Sequence, residues 1–125
     1  MIYGIGTDIV AVARLDEMHR RHGERVLARL LAPSERADCR QAQAPARFLA
    51  KRFAAKEAFG KALGTGVRAP VLLPSIAVVH DALGKPSFEF SAQLAAYVAE
   101  RGLTAHVSIS DEQDNVIAFV ILEQR

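Results

Sequence analysis

The stretch that decides the fold is PARFLAKRFAAKEAFGKALGTG, residues 45–66. Proline suits the first turn of a helix and glycine suits the position after its end, so Pro45 and Gly64 predict the two boundaries. The alanines, leucines and phenylalanines between them predict a long helix that is buried on its apolar side. Three charged residues within this helix raise the question of whether it also carries chemistry: Lys56, Glu57 and Lys61.

Two features of this helix each allow two interpretations. Glu57 and Lys61 are four residues apart and share a helix face, where they form either a surface ion pair or part of a site. Gly60 lowers helix propensity by about 1 kcal/mol relative to alanine. It either permits close approach of a backbone or ligand, or it is simply tolerated.

The segment before the long helix predicts a strand followed by short helices. YGIGTDIV reads as a strand that ends near Asp8. A helix over about 11–22 follows, with Val12, Leu15 and Met18 on one side, and Gly23 interrupts it. A further short helix opens at Pro33, with the Ser34 hydroxyl as its capping group.

The second half is predicted to be rich in strands. SIAVVH and PSFEF flank DALGK as a hairpin, and SAQLAAYVAERG is a helix from a Ser91 cap to a Gly102 stop. TAHVSIS alternates polar and apolar residues, DEQDN is a turn, and VIAFVIL is a buried strand. These elements predict an α+β fold in which a mainly antiparallel sheet packs against the long helix.

Length and composition favour one globular, cytoplasmic domain over residues 1–125. The chain has 125 residues, of which 24% are charged. Cys39 is the only cysteine, so no intramolecular disulfide forms and a reducing compartment is expected. Neither the N-terminus nor the apolar run at 71–79 has the length of a signal peptide or membrane span.

Charge is distributed unevenly along the chain. Residues 1–70 hold 13 lysines and arginines against 7 acids, a net charge of +6. Residues 71–125 hold 3 basic residues against 7 acids, a net charge of −4. The basic half either meets an acidic partner or phosphates, or is a solvated helical face.

Asp8 adds a second carboxylate to the one on the long helix. Mg²⁺ takes one or two protein carboxylates and completes its shell with water and phosphate oxygens. If Asp8 and Glu57 met, they would suit such an ion, and Lys61 would face the same phosphates. Spacing alone leaves that meeting open, and the chain has no Walker A loop, G-x-S-x-G motif or zinc spacing.

Two motifs together make the chain resemble a known family. GIGTDIV near the N-terminus and RFAAKEAFGKALGTG in the middle, with DALGKP and HVSISDE later, are similar to the small bacterial 4′-phosphopantetheinyl transferases. This is the holo-[acyl-carrier-protein] synthase family. The resemblance covers nearly the whole chain and implies the fold of that family.

The resemblance implies a Mg²⁺-dependent transferase. The 4′-phosphopantetheine group of coenzyme A passes to a serine of apo acyl carrier protein, which leaves adenosine 3′,5′-bisphosphate and supports fatty acid biosynthesis. The metal ligands of the family fall on Asp8 and Glu57, and its catalytic lysine falls on Lys61. The base that removes the serine proton stays open between a metal-associated water, Glu57 and Asp8.

The resemblance also implies contacts with coenzyme A and a homotrimer with active sites at subunit interfaces. The segment Gly84-Lys85-Pro86 and His106 are expected near coenzyme A. The 3′-phosphate is expected at Arg47 and Lys51. Other phosphate or adenosine contacts are expected at Arg52, Lys56, Gly64 and Thr65.

An acidic carrier protein gives the basic half a partner. The docking arginine of the family falls on Arg14, and Arg21 and Arg25 follow at helical spacing if Gly23 only bends the helix. Such charges raise association rates and orient the encounter. The chain departs from many relatives at two positions: His80, and Asp111 where some relatives have histidine.

Two other function classes compete with the transferase. The first is a non-catalytic module that binds carrier protein or nucleotide, and the complete set of Asp8, Glu57 and Lys61 disfavours it. The second is a nucleic-acid-binding domain, which the acidic C-terminal half and the few aromatic residues disfavour. No nucleic acid or membrane partner is therefore expected.

Overall fold

The computed structural model describes residues 1–125 and has an α+β architecture. In chain order its elements are β1 Ile2–Ala11, α1 Val12–His22, α2 Glu24–Leu30, α3 Pro33–Gln41, α4 Pro45–Leu63, a 3-10 helix Leu73–Ser75, β2 Ile76–His80, β3 Pro86–Phe90, α5 Ala92–Glu100, β4 Leu103–Asp111 and β5 Asn115–Gln124. All strand pairs are antiparallel. One sheet has the order β1-β5-β4, and β2 pairs with β3 in a second sheet. The predicted fold class is confirmed.

The central helix α4 has the predicted boundaries. It begins at Pro45 and ends before Gly64, whose φ of +85° gives the left-handed conformation that favours glycine. The amide of Gly64 donates to the carbonyl oxygens of Gly60 and Lys61. A side chain at Gly60 would lie 3.0 Å from the carbonyl carbon of Gly66. Of the two interpretations of Gly60, close backbone approach is therefore the correct one.

Two glycines in β1 let this strand lie directly on α4. A Cβ atom at Gly4 would clash with the carbonyl oxygen of Ala62, and one at Gly6 would clash with that of Ala58. At these points the glycines face the backbone of α4 at Ala58 and Ala62 and the Cβ of Lys61, so strand and helix backbones touch. The GIG sequence therefore determines the distance between β1 and the face of α4 that carries the charged residues.

Asp8 lies within β1 rather than near its end. The strand continues to Ala11, and Asp8 is paired with Ala118 of β5, so the expected strand boundary was three residues too early. Because side chains alternate along a strand, Asp8 lies on the same face as Gly4 and Gly6, which is the face toward α4. Its side chain is 16% exposed.

The strand β5 is buried on one face only, which corrects the prediction of a buried strand. Alternate residues from Val116 to Leu122 are fully buried against the helix side. The opposite face of the sheet leaves large apolar side chains exposed, between 37% and 64%. These residues define the outer sheet face: Ile5, Ile9, Ile117 and Phe119.

The helices before α4 are separate from one another. Gly23 has φ +57° and ψ −132°, which ends α1 and starts α2 in a new direction. Gly23 therefore separates two helices instead of only bending one, and Arg25 does not continue the helical face of Arg14. The cap of α3 also differs from expectation: the Glu35 carboxylate, not the Ser34 hydroxyl, accepts the Ala32 amide at 2.8 Å.

The second half follows the predicted order. Five residue pairs join β2 and β3 into the expected hairpin. The Ser91 hydroxyl accepts the amide of Leu94 at the start of α5, and Gly102 follows its end with φ +64°. Phe88 and Phe90 of β3 pack on Phe59 of α4, with ring centroids 5.3 and 5.1 Å apart respectively. The small sheet is thereby joined to the central helix.

Candidate active site

The close contact of β1 with α4 brings Asp8 and Lys61 together. The Lys61 ammonium donates to Asp8 Oδ1 at 3.0 Å and to the Thr7 carbonyl oxygen at 2.9 Å. The lysine side chain remains 54% exposed, so its other proton faces solvent. Two residues that are 53 positions apart in sequence therefore form one charged pair at an open edge.

Glu57 lies beside this pair without joining it. Burial raises the pKa of the Glu57 carboxyl, and the negative charge of Asp8 raises it further, while Lys61 and Arg14 act in the opposite direction. No ion pair forms between Glu57 and Lys61, because the lysine turns to Asp8 instead. The interpretation of these two residues as a simple helix-surface pair was wrong.

These side chains fit a small divalent cation. Glu57 is a half-buried carboxylate with a like charge near it and no cation within ion-pair distance, an arrangement that costs free energy until a positive charge is supplied. Two carboxylates beside open solvent match the donor set of Mg²⁺, which retains water ligands. No three acidic, histidine or cysteine side chains cluster anywhere in the chain, so no larger all-protein site competes.

Lys56, the neighbour of Glu57, points to the opposite side of α4. Its ammonium is fully buried and donates to Glu35 Oε1 at 2.6 Å and to the Leu30 carbonyl oxygen at 2.7 Å. Desolvation lowers the pKa of Lys56 to about 8, although the Glu35 charge opposes the shift. The expected contact of Lys56 with a phosphate is therefore corrected, because its charge is already paired in the interior.

Arg52 joins the same buried group. Its Nε lies 3.2 Å from Glu35 Oε2, in an orientation that makes an ion pair but no hydrogen bond. Its guanidinium lies over the Phe48 ring at 4.3 Å from the centroid. The side chain is 10% exposed, so the expected contact of Arg52 with coenzyme A has little surface available.

Glu35 has four partners and connects three elements of the chain. Besides Lys56 and Arg52, it accepts the amides of Ala32 and Val78. These interactions tie α3 to α4 and to β2 across the core. The Glu35 cluster, defined as Glu35, Arg52 and Lys56, is the one group of buried charges in the molecule, and nothing in the sequence pattern pointed to it.

A small pocket of about 140 Å³ lies between α4, the β2–β3 turn and β4. Its walls include the predicted residues Lys51, Gly84 and Pro86, together with three that were not assigned to binding: His80, Ile109 and Asp111. Burial lowers the pKa of His80, and the charges of Arg52 and Lys51 lower it further. His80 and Asp111, the two positions at which the chain was expected to differ from the family pattern, both line this pocket.

Arg47 does not face this pocket with a free guanidinium. It donates to Asp111 Oδ2 at 2.8 Å and to the carbonyl oxygens of Glu112 and Gln113 at 2.8 and 2.6 Å. Lys51 Nζ lies 3.6 Å from Asp111 Oδ1. Arg47 thus fastens the β4–β5 turn to the start of α4, which corrects its expected role at a 3′-phosphate, whereas Lys51 remains on the pocket wall.

Three other residues that were predicted to contact coenzyme A do not line this pocket. His106 is on the outer side of the sheet, where its Nε2 lies 2.6 Å from Glu123 Oε1. Gly64 and Thr65 follow the end of α4, and the threonine hydroxyl donates to the Gly66 carbonyl oxygen at 2.9 Å. Their assignment to coenzyme A stays a prediction, as does that of the exposed Lys85.

Of the predicted docking arginines, Arg14 and Arg21 lie on α1 and Arg25 on α2, and only Arg14 acts on an acid of the site. Arg14 lies over the Phe53 ring at 5.4 Å and acts on the charge of Glu57. Arg21 pairs with Glu17 within α1, and Arg25 at the start of α2 lies 3.2 Å from His22 at the end of α1. A groove of about 640 Å³, which the sequence did not indicate, runs between these helices and residues 67–74, lined by Met18, His22, Arg25, Val26, Arg29, Leu30, Val67, Leu72, Leu73 and Pro74.

Comparison with known proteins gives one consistent result. Residues 4–120 match the model of the 4′-phosphopantetheinyl transferase superfamily. The chain is 64% identical over 123 residues to a holo-[acyl-carrier-protein] synthase of Dechloromonas aromatica (strain RCB), with 98% of both chains covered.

Solved structures agree with the sequence relatives. A crystal structure of holo-[acyl-carrier-protein] synthase from Neisseria meningitidis superposes with a TM-score of 0.95 at 47% identity, covering 99% of this chain and 100% of that one. The enzyme of Bacillus anthracis str. Ames, in complex with CoA (3′,5′-ADP), superposes with a TM-score of 0.85 at 34% identity, covering 100% and 99% respectively.

Proposed function

The chain belongs to the 4′-phosphopantetheinyl transferase superfamily, and from this premise we propose that it transfers the 4′-phosphopantetheine group of coenzyme A to a serine of apo acyl carrier protein. The products are holo carrier protein and adenosine 3′,5′-bisphosphate. The transfer supports fatty acid biosynthesis. The observation that carries the proposal is the Asp8–Lys61 ion pair at an open edge, with Glu57 near enough for the charge of Asp8 to raise the pKa of its carboxyl. A pure binding module has no need of that set.

Asp8 and Glu57 are the residues that would hold Mg²⁺. When bound, the ion neutralises charge on the pyrophosphate as the bond to the leaving phosphate breaks. Glu57 suits this role because its half-buried carboxylate has no other cation as a direct partner. Lys61 bridges Asp8 and the strand backbone, which holds the Asp8 carboxylate in place.

Proton transfer falls to the same residues. Lys61 has an exposed ammonium that can donate to the oxygen of the leaving phosphate. Asp8 and Glu57 are the two carboxylates at this edge that can accept the serine proton, as can a water held by the ion.

The small pocket is the candidate site for the adenosine end of coenzyme A. It is lined by two residues of the Gly84-Lys85-Pro86 segment and by Lys51, which can face a phosphate. A relative with 34% identity was solved in complex with CoA, which supports a coenzyme A site on this fold. Arg47 serves this site by holding the adjoining turn rather than by binding the nucleotide directly.

An acidic carrier protein fits the basic helices beside the acidic centre. Arg14 on α1 is near Glu57, so a partner bound there would present its serine to the reacting groups. Arg14→Ala is expected to raise KM for the carrier protein severalfold, with a smaller difference from wild type at high salt. Arg36→Ala on α3 is the matched control, and equal effects of the two variants would contradict this docking surface.

The outer sheet face supports assembly into a homotrimer. Its exposed isoleucines and Phe119 form a continuous apolar surface across β1 and β5, and such surfaces mark interfaces. Burying it would place His106 beside another subunit. Phe119→Asp is expected to give a monomer in analytical ultracentrifugation with loss of transfer, whereas Ala96→Asp on α5 keeps the trimer. A Phe119→Asp trimer with full activity would refute this interface.

Residues 1–125 are proposed to act as one cytoplasmic domain. A single hydrophobic cluster of 26 buried residues joins α4 with both sheets, which supports one cooperative unit. None of the helices combines the length and apolar character needed to cross a bilayer. One unfolding transition by both circular dichroism and fluorescence of a bound dye would support the single domain, and two separate transitions would contradict it.

The decisive experiment is a mass-shift assay. Apo acyl carrier protein is incubated with coenzyme A, MgCl₂ and the enzyme, and its intact mass is measured. The expected result is the gain of one phosphopantetheine group, together with release of adenosine 3′,5′-bisphosphate. No mass gain with any divalent cation would refute the proposed transfer, and coenzyme A binding without mass gain would instead indicate a binding module.

A further inference from the structure

The turn between β2 and β3 is built around one carboxylate. Asp81 Oδ1 accepts the amides of Leu83 and Lys85, each at 2.9 Å. Two backbone hydrogen bonds close the same turn, from Asp81 to the Lys85 carbonyl oxygen and from Gly84 to the Asp81 carbonyl oxygen, each at 3.0 Å. Gly84 has φ +88°, a conformation that side-chain-bearing residues rarely adopt.

Packing does not hold this turn in place. Leu83 at its tip is 96% exposed, and residues 81–85 are all exposed. The hydrogen bonds to Asp81 are therefore its main constraint. The backbone amide bonds lower the pKa of the Asp81 carboxyl, as expected for an ionised acceptor of two amides.

The turn forms one wall of the small pocket. Gly84 and Pro86 line the pocket, while Asp81 is absent from its walls. Lys51 and Ile109 form the opposite side on α4 and β4, which are regular elements with their own backbone hydrogen bonds. The shape of the pocket thus depends most on the one wall that packing leaves unsupported.

We propose that Asp81 is a positioning residue for coenzyme A: its carboxylate holds residues 83–85 in the conformation that completes the pocket wall. This inference rests on the proposed function of the pocket. A loop that is already ordered loses less conformational entropy when it binds a ligand. Loss of Asp81 should therefore weaken coenzyme A binding without slowing the chemical step, because the reacting groups lie on β1 and α4.

The test compares Asp81→Ala and Asp81→Asn with the control Asp38→Ala, which removes an exposed acid on α3. For Asp81→Ala, KM and Kd for coenzyme A should rise about tenfold, with kcat within twofold of wild type and KM for carrier protein unchanged. For Asp81→Asn, whose amide oxygen still accepts both N–H groups, both constants should stay within about threefold of wild type. Asp38→Ala should match wild type throughout.

Three outcomes would overturn the inference: a wild-type KM for coenzyme A in Asp81→Ala, an equal loss in both Asp81 variants, or a fall in kcat with KM unchanged. An equal loss would mean that charge, not acceptance of the amides, matters. Thermal unfolding of each variant separates a general loss of stability from a local effect. The activity of the wild-type protein in the mass-shift assay tests the proposed transfer independently. The role of Asp81 can therefore be refuted while the transfer is supported, and the reverse.

Discussion

Lys56 and Glu57 are neighbours on α4, yet their charges have opposite surroundings. Lys56 is fully buried and hydrogen-bonded to Glu35 and to a backbone carbonyl oxygen. Glu57 lies at an open edge, near the like charge of Asp8 and without an ion-pair partner. A rotation of about 100° between successive helical residues is enough to separate these environments.

The difference shows how one helix divides two tasks. The Glu35 cluster is closed: its acid is engaged by two cations and two backbone amides, so it fixes how α3, α4 and β2 pack. The open cluster, defined as Asp8, Glu57 and Lys61, leaves capacity for a ligand. Buried charges must be paired to be tolerated, whereas an active site keeps charged side chains without a protein partner so that they can bind its substrate. Substitutions in the two clusters should therefore have separable effects.

The largest expected effect is on activity in the open cluster. Glu57→Gln and Asp8→Asn should each reduce kcat/KM at least about 10³-fold, or about 4 kcal/mol in the activation barrier, because each removes a charge that would hold Mg²⁺. The melting temperature should stay close to that of wild type. Steady-state transfer assays and thermal unfolding measure the two quantities, and Glu100→Gln on α5 is the control. Near-full activity in both variants would refute the metal assignment.

The closed cluster should show the reverse pattern. Glu35→Ala leaves the Lys56 ammonium and the Arg52 guanidinium buried without their acid, which should lower the free energy of unfolding by about 3 kcal/mol or more. Urea denaturation followed by circular dichroism measures the loss. Glu100→Ala, at a side chain that is 76% exposed, should change stability by less than about 0.5 kcal/mol.

Activity of Glu35→Ala sharpens the contrast. At a temperature where the variant is folded, kcat per folded molecule should be within a few fold of wild type, since none of the reacting groups is altered. A loss of kcat as large as that of Glu57→Gln, with unchanged stability, would mean that the two clusters are not separate in function.

Lys61 should have an intermediate effect. Lys61→Met should reduce kcat about 10²-fold, because the ammonium that holds Asp8 and faces the leaving phosphate is lost. Lys61→Arg keeps the positive charge and should recover part of the rate. Single-turnover measurements at saturating coenzyme A test this order, and an equal rate for Lys61→Met and wild type would remove Lys61 from the mechanism.

The smallest effect per unit of change is a pH dependence of stability from Lys56. Its pKa falls from an ordinary value of 10.5 to about 8 in the folded protein. Between these values the unfolded chain holds more protons, so this group makes the free energy of unfolding rise with pH, by at most about 1.4 kcal/mol per pH unit. Below about pH 8 the lysine is protonated in both states and the slope disappears.

The measurement is urea denaturation between pH 7 and 10 for wild type and Lys56→Met. Groups outside the Glu35 cluster titrate alike in both proteins, so the difference between the two curves reports Lys56 together with the neighbours whose charges it affects. Wild type should gain stability relative to Lys56→Met as pH rises through this range. Parallel curves would show that Lys56 has an ordinary pKa and that its burial is less complete than the structure indicates.

Local sequence rules predicted much of the fold. Proline and glycine at the two ends of α4 gave its boundaries, and DALGK between alternating segments gave the β2–β3 hairpin. The missed features depend on contacts across the fold. The end of β1 was placed too early because Asp8 is unusual in a strand, and only its position against α4 explains it. The outer sheet face was missed because VIAFVIL has the same letters whether one face or both are buried.

The site was predictable only in part, and from motifs rather than spacing. Helical spacing suggested a Glu57–Lys61 pair, but the structure pairs Lys61 with Asp8. Lys56, Arg52 and Arg47 looked like phosphate ligands because basic residues near a site resemble one another in sequence. Each is instead engaged by an acid or by carbonyl oxygens, which required Glu35 and Asp111 to be located first.

The sequence by itself determined the elements, since helix ends, turns and alternation depend on residues within a few positions of one another. It also determined the family, through motifs spread along the chain. Tertiary structure alone decided which charges are paired within the fold and which stay open to a ligand, because burial and pairing depend on distant residues, such as Asp111 at 64 positions from Arg47. The glycines of β1 link the two levels: their small size is encoded locally, but its consequence is the contact with α4 that sets Asp8 beside Lys61.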